Sequence, residues 1–554
     1  MKPVYELLAA DLKRLGVEMT FGLMSDDICQ FVAALDASGV RFVGARHENS
    51  AIMMAVGYAN TTGKLGVCVI GRGPATANGM LGLVGAARSN RPILIITGEA
   101  PVDPRTPDMI GPDGKAYPGE AILRLGGLST FSPKHGHVAR QMLQDAVGEA
   151  MLNKAAVLMV PVDVLLAEID PAEEGEPTPV SFPRRIPKAR QQAIDSAAAL
   201  IAKSRKPIIV AGQGAYYSGA KAAIEKLAEK SGALLANALK GKDMFRGHPH
   251  NIGIIGSSSH SVARRHVEQA DCIIAIGASL NRFTMSAGES FPAVPLIHID
   301  VSRANIGRYW YADLAIVGDA KEVTERLVEA IPDRAPAEKP FHSNAIRDEI
   351  ASFDHLMDFK PENTARTLDV RIAALEFEKV LPENRQLVFD GGNFMFAWGY
   401  MSVPSPNHFM HTQDSGSIGL GMGLAIGAAL SQPDRHTVAF IGDGGFLMSL
   451  GELETIIREE VPITLVVMND AAYGAEVHFL RASGHSPSTA RFPDADFAPL
   501  AETLGFQSAT VRTVEDIRKL APLLKEPDGP ILIDCKINGD VVAPFIQEVT
   551  YRKT

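Results

Sequence analysis

The chain has 554 residues, 46% of them hydrophobic and 21% charged, with a net charge of −10. That length and balance predict a globular protein of roughly three domains with large apolar cores. The acidic balance argues against a broad nucleic-acid-binding surface, and no segment has the ~20 uncharged apolar residues of a membrane span. Four cysteines (Cys29, Cys68, Cys272, Cys535) lack metal-ligand spacing and fit a reduced, cytoplasmic chain.

The first block, residues 1–170, opens on an amphipathic helix rather than a signal peptide, because Glu6, Asp11, Lys13 and Arg14 interrupt its apolar pattern. Asp26-Asp27 precedes the run Ile28-Cys29-Gln30-Phe31-Val32 and fits a helix N-cap. Strands are expected at 41–45, 66–70 and 93–97. Arg46-His47-Glu48 lies between the first of these and a helix over 49–60, whose small residues Ala51, Ala55, Gly57 and Ala59 suit close packing. Taken singly, a Glu at a helix start only favours the dipole. The loop Gly71 to Gly79, with Pro74-Ala75-Thr76-Ala77-Asn78, follows the second strand.

A Pro- and Glu-rich stretch from Asp170 to Val180 reads as a linker. The middle block, 188–332, has apolar strands at 207–214, 271–277 and 295–300. A second linker runs from about Pro332 to Thr364, and the third block spans 365–554. Its strands are expected at 386–390, 437–441, 463–468 and 530–534. Strands alternating with helical patterns in every block predict an α/β fold of three doubly wound parallel-sheet domains.

The third block carries the most specific signal. Gly442-Asp443-Gly444-Gly445 ends an apolar strand, a helical pattern over 448–460 places Leu450, Leu453, Ile456 and Ile457 on one face, and Asn469-Asp470 ends the next strand. A right-handed crossover makes those strands parallel, so Asp443 and Asp470 share the carboxyl edge where α/β proteins bind ligands. Two oxygen side chains there suit Mg²⁺, which keeps some ligands for phosphates. Gly444 and Gly445 allow backbone N–H groups to approach those phosphates.

This motif resembles the diphosphate and Mg²⁺ motif of thiamine-diphosphate (ThDP) enzymes, with Asp470 where those enzymes usually have a second Asn. The string from His47-Glu48 to Asn78-Gly79 resembles the pyrimidine-binding domain of the acetolactate synthase, pyruvate oxidase and 2-oxo acid decarboxylase group. The resemblance implies ThDP and Mg²⁺ as cofactors. It gives Glu48 the role of exchanging a proton with the cofactor's N1′, so that the 4′-amino group can take the C2 proton. It makes Asp443, Asp470 and Ala472 the metal ligands. Gly392, Asn393, Gly444, Gly445 and Tyr473 become cofactor contacts. Gly416 offers its carbonyl to the 4′-amino group, and Ile418 wedges between the cofactor rings. Ile418 also fits an ordinary core position. The two halves of each site come from different subunits in this family, which implies a homodimer or homotetramer. The middle block holds FAD in some members and only structure in others; FAD is not expected here.

Asp26 and Glu476 align with active-site acids of the decarboxylases, and His478 lies two residues on; these three join Glu48 as candidate catalytic residues. Glu476 equally fits a solvated helix position. The decarboxylases' adjacent His pair is missing, and Arg72 stands in the matching loop. His135 and His137 follow later, but Glu120-Ala121 replaces the Phe-Gln pair of acetolactate synthases. The leading expectation is decarboxylation of a small 2-oxo acid to an aldehyde or acyloin, without a nucleic-acid or membrane partner. The alternatives are acetolactate synthase activity, a flavin-dependent oxidase and a catalytically silent ThDP-binding protein.

Overall fold

The computed structural model describes all residues except 104, 107–114, 116, 153, 175–176, 179–185, 289, 333–339 and 551–554. Parts of both expected linkers therefore lie outside the described residues. The second is not featureless: it contains the helix Asn344–Ala351.

Three six-stranded parallel sheets carry the fold. The first contains β1 (Met19–Gly22), β2 (Arg41–Gly44), β3 (Gly66–Ile70), β4 (Ile93–Glu99), β5 (Ser129–Phe131) and β6 (Ala155–Pro161), in the order β2-β1-β3-β4-β6-β5. The second contains β7 (Pro207–Ala211), β8 (Leu234–Asn237), β9 (Asn251–Ile254), β10 (Cys272–Ile276), β11 (Leu296–Asp300) and β12 (Leu314–Val317), in the order β9-β8-β7-β10-β11-β12. The third contains β13 (Arg385–Phe389), β14 (Phe409–His411), β15 (His436–Gly442), β16 (Ile463–Asn469), β17 (Gln507–Val511) and β18 (Ile531–Lys536), in the order β14-β13-β15-β16-β18-β17. The first and third sheets thus share one strand order although their sequences show no evident identity. The middle sheet has the doubly wound dinucleotide-fold order.

The sheets form because their central strands are continuous apolar runs, as two-sided burial demands. Every residue of β3, β7, β10, β13 and β16 is buried. The first and third blocks meet along two helices, α1 (Glu48–Thr62) and α2 (Gly421–Ser431), whose residues share one apolar core. Their backbones touch: a Cβ on Gly57 would collide with the Leu424 carbonyl, and one on Gly427 with the Met54 carbonyl. Glycine is required there by close approach.

The helix expected over 448–460 is instead two. It starts at once from the strand as α3 (Asp443–Met448), breaks, and resumes as α4 (Glu452–Arg458). Ser449 leaves the helical region at φ −119°, and Gly451 passes Arg46 of the first block, whose Cβ lies 3.2 Å from where a Cβ on Gly451 would stand. In the middle block Gly212, Gly214 and Gly277 pack on one another's backbone across the ends of β7 and β10. No helix among the described residues is long and apolar enough to cross a membrane.

Candidate active site

The carboxyl ends of β13, β15 and β16 converge. Gly442 pairs in register with Met468, which sets Asp443 beside the Asn469-Asp470 turn. Asp443 is 2% exposed and accepts hydrogen bonds from the Gly444 N–H (2.9 Å) and the Ala472 N–H (3.3 Å). Ala471 adopts φ +54°, which bends the chain so that Ala472 returns to Asp443. Asp470 sits next to Gly474, where any Cβ would strike its Oδ2.

Burial pushes both carboxyls well above the ordinary value, and for Asp470 the charge of Asp443 adds to it. Two neighbouring carboxylates, one buried and one half-buried, are unfavourable without a cation. Among the described residues no group of three or more His, Cys, Asp or Glu side chains could hold a metal alone. A pair of hard oxygen donors therefore fits a Mg²⁺ ion that takes its remaining ligands from backbone and phosphate.

Two side chains wall the glycines beside this pair. The Tyr473 ring covers Gly444, with Cε1 2.6 Å from where a Cβ would stand. Ile418 lies over Gly391 and Gly444, 3.4 and 3.7 Å from their Cβ positions, and is half-buried rather than part of the core. Gly416 is exposed at φ +70° with open space around it, and Gly392 has φ +141°. These residues form one rim above Asp443. The Asn393 side-chain amide donates to the Val541 carbonyl (2.8 Å) and its oxygen accepts from the Ala543 N–H (2.9 Å), so it braces the 541–543 segment.

Glu48 is the first residue of α1 and 6% exposed. The Asn78 amide donates to its Oε2, and the His47 side chain caps the helix by accepting from the Asn49 N–H. The carboxylate of Glu452, at the start of α4, takes the Arg46 N–H at 3.0 Å and Ser50 on the other side. Burial raises the Glu452 carboxyl, and those hydrogen bonds oppose it. Among the described residues no hydrogen bond or ion pair joins Glu48 to the Asp443 rim of the same chain. Leu447 and Met448, on α3 beside Asp443, are large apolar side chains left exposed.

Asp26 is not a helix cap: the helix after it is Cys29–Ala37, with Ile28 at the cap and no side-chain bond. It pairs with Lys115, which also reaches Asp27 at 3.2 Å. Burial raises the Asp26 carboxyl, but Lys115 and the Ser25 hydroxyl outweigh it and hold the group below the ordinary carboxylate range. Asp27, 5% exposed, accepts from the Arg72 N–H at 2.8 Å.

Glu476 lies in the first turn of α5 (Gly474–Ala482) and is exposed. His478, on the same helix, is fully buried, its ring nitrogens without hydrogen bonds of good geometry although the Gly539 backbone is near; burial lowers its pKa. His135 caps the helix Gly136–Ala150 and is exposed after the edge strand β5.

Sequence reasoning missed Asp390, Asn78, Glu452 and Lys115. The first two stand in motifs that were read for their neighbours; the last two show their role only through contacts far along the chain.

Three family profiles match this chain. They are described as the thiamine pyrophosphate enzyme N-terminal TPP binding domain (residues 2–115), central domain (194–327) and C-terminal TPP binding domain (390–535). The chain is 28% identical to a "Probable acetolactate synthase large subunit" of Methanocaldococcus jannaschii, over 98% of this chain and 93% of the relative. It is 26% identical to the acetolactate synthase isozyme 2 large subunit of Escherichia coli (95% and 94%) and to a sulfoacetaldehyde acetyltransferase of Castellaniella defragrans (94% and 89%). An X-ray structure from Mycobacterium smegmatis, 22% identical, has the same fold, with a TM-score of 0.76 over 97% of this chain and 100% of that one.

Proposed function

Because the chain belongs to the thiamine-diphosphate-dependent enzymes of the acetolactate synthase, pyruvate oxidase and 2-oxo acid decarboxylase group, we propose that it cleaves or joins a carbon–carbon bond next to a carbonyl, starting from a small 2-oxo acid. The observation that carries this reading is the Asp443–Asp470 pair, the first carboxylate buried and the second half-buried, beside Ile418 and Gly444.

When bound, ThDP supplies a thiazolium that stores the electron pair left by the departing carboxylate. The chain's residues do the rest. Asp443, Asp470 and the Ala472 carbonyl hold Mg²⁺, and Gly444 and Gly445 admit the phosphates. Ile418 would stand against the bound cofactor, and the Gly416 carbonyl would be the acceptor for its 4′-amino group. Glu48 exchanges a proton with N1′, its carboxylate held in place by Asn78. The rim with Asp443 belongs to one copy and Glu48 to another, in a homodimer or a larger assembly of dimers. The exposed Leu447 and Met448 beside the rim fit burial against a partner.

Asp26 acts as an anion, since Lys115 keeps it ionised; it steers substrate rather than donating a proton. Asp26→Asn and Glu476→Gln are expected to bind ThDP as the parent does and to lose turnover by roughly 10-fold or more. Parental kcat in both would make them structural. His478, two residues after Glu476 on α5, stays the candidate histidine of the site.

Transfer of the acyl unit to a second carbonyl is the reading that the Asp26–Lys115 pair favours over release as an aldehyde, because an ionised Asp26 is a poor proton donor. The names of the relatives point the same way. The middle block is a structural spacer in this account, its Gly212 and Gly277 spent on mutual packing. The test is a screen of 2-oxo acids for CO₂ release with ThDP and Mg²⁺, with and without aldehyde or 2-oxo acid acceptors. Release that rises with acceptor supports transfer. No release from any acid would remove the proposal, and a yellow protein consuming O₂ would replace it with the flavin reading.

A further inference from the structure

One buried carboxylate at the rim has no role in the scheme above. Asp390 follows β13 directly and is 1% exposed. Its Oδ1 accepts from the Thr412 hydroxyl (2.7 Å) and the Gly421 N–H (3.2 Å), and its Oδ2 accepts from the Gly419 N–H (2.7 Å). Thr412 follows the neighbouring strand β14, and Gly419 and Gly421 flank Leu420 at the start of α2. The carboxylate therefore closes both ends of the loop 412–421, the loop that presents Gly416 and Ile418.

It also touches the other wall of the cradle. A Cβ on Gly445 would collide with Asp390 Oδ2, and one on Gly421 would come within 2.7 Å of Asp390 Cβ. Two glycines thus clear space for this one side chain. Burial pushes the carboxyl up, and the Thr412 hydroxyl and the Gly419, Gly391 and Gly421 N–H groups oppose that. All the donors that hold it are neutral, so the group is a geometric tie rather than half of an ion pair.

We propose that Asp390 is a positioning residue, which locks the loop carrying Gly416 and Ile418 to the Gly444–Gly445 wall and so sets the ring geometry of the bound cofactor. The inference rests on the ThDP reading given above. Its effect falls on cofactor activation more than on cofactor affinity, because the metal and the diphosphate are held by other residues. A misplacement of about 1 Å at a reacting group can cost on the order of 10²-fold in rate.

The substitution Asp390→Asn keeps the shape but turns one oxygen into a donor facing Gly419 or Thr412, which breaks one side of the tie. Thr412→Val removes a single hydroxyl and serves as the gentler variant. In cofactor-free protein, the Gly419 and Gly421 amides should exchange with deuterium roughly 10-fold faster in Asp390→Asn, and less so in Thr412→Val. In loaded protein, exchange of the cofactor's C2 proton should fall by on the order of 10²-fold, with the Kd for ThDP–Mg²⁺ within about fivefold of the parent. Combined with Ile418→Ala, the two losses should be non-additive, since both act through one loop. Unchanged amide exchange in both variants, additive losses, or affinity falling in step with C2 exchange would each overturn the proposal. If the parent chain binds no ThDP, the functional reading fails by itself, and the cofactor-free amide exchange still decides whether Asp390 ties the loop.

Discussion

Glu48→Gln is expected to abolish turnover by at least about 10²-fold while leaving the fold intact, the scale of a lost general acid–base group. Glu48 opens α1, is 6% exposed and receives the Asn78 amide on Oε2. Glutamine has the same shape and keeps an oxygen for Asn78. The turn before it stays clamped by Glu452 through the Arg46 N–H. Stability should therefore change little, and ThDP–Mg²⁺ should still bind. What is lost is the ability to take and return a proton at N1′. Steady-state kinetics beside a thermal melt and a ThDP titration read this directly. Turnover near the parent value would remove Glu48 from the chemistry.

Asp443→Ala is expected to lose Mg²⁺-dependent retention of ThDP altogether. Removing one of two facing carboxylates halves the hard-donor set and strips the acceptor that ties the Gly444 and Ala472 N–H groups together. Asp470→Asn should be mild. It removes one of two like charges that burial already disfavours, so cofactor-free protein should melt at a higher temperature and ThDP–Mg²⁺ binding should hold or tighten. Calorimetric titration of both variants distinguishes them. Collapse of binding in Asp470→Asn would mean that the second negative charge is required by the metal.

The fold was legible wherever strands are buried on both faces. The runs 66–70, 207–214 and 463–468 read as strands because nothing charged interrupts them, and strands occupy Gly66–Ile70, Pro207–Ala211 and Ile463–Asn469. The parallel crossover from Asp443 to Asp470 followed from handedness alone. What escaped was set by distant partners. The split between α3 and α4 arises because Gly451 passes Arg46, a neighbour from the other end of the chain. The common strand order of the first and third sheets is a property of pairing, which local pattern does not encode. The brace from the Asn393 side chain to Val541 and Ala543 likewise joins residues far apart in the chain. Asp26 fitted a helix cap until Lys115, far along the chain, proved to be its partner. Asp390 looked like the last residue of a strand; its three-way tie appears only once Thr412, Gly419 and Gly421 surround it.

The central claim is a ThDP site built from Glu48 of one copy and the Asp443 rim of another. Co-expression of Glu48→Gln with Asp443→Ala tests it most directly. Each variant alone is inactive in this account. In a mixed dimer the intact Glu48 of one chain meets the intact Asp443 of the other, and one of two sites is restored. With random pairing, activity should recover to about a quarter of the parent value. Failure of the co-expressed and demonstrably mixed dimer to recover any activity would mean that each chain carries its own complete site, and the split-site account would be wrong.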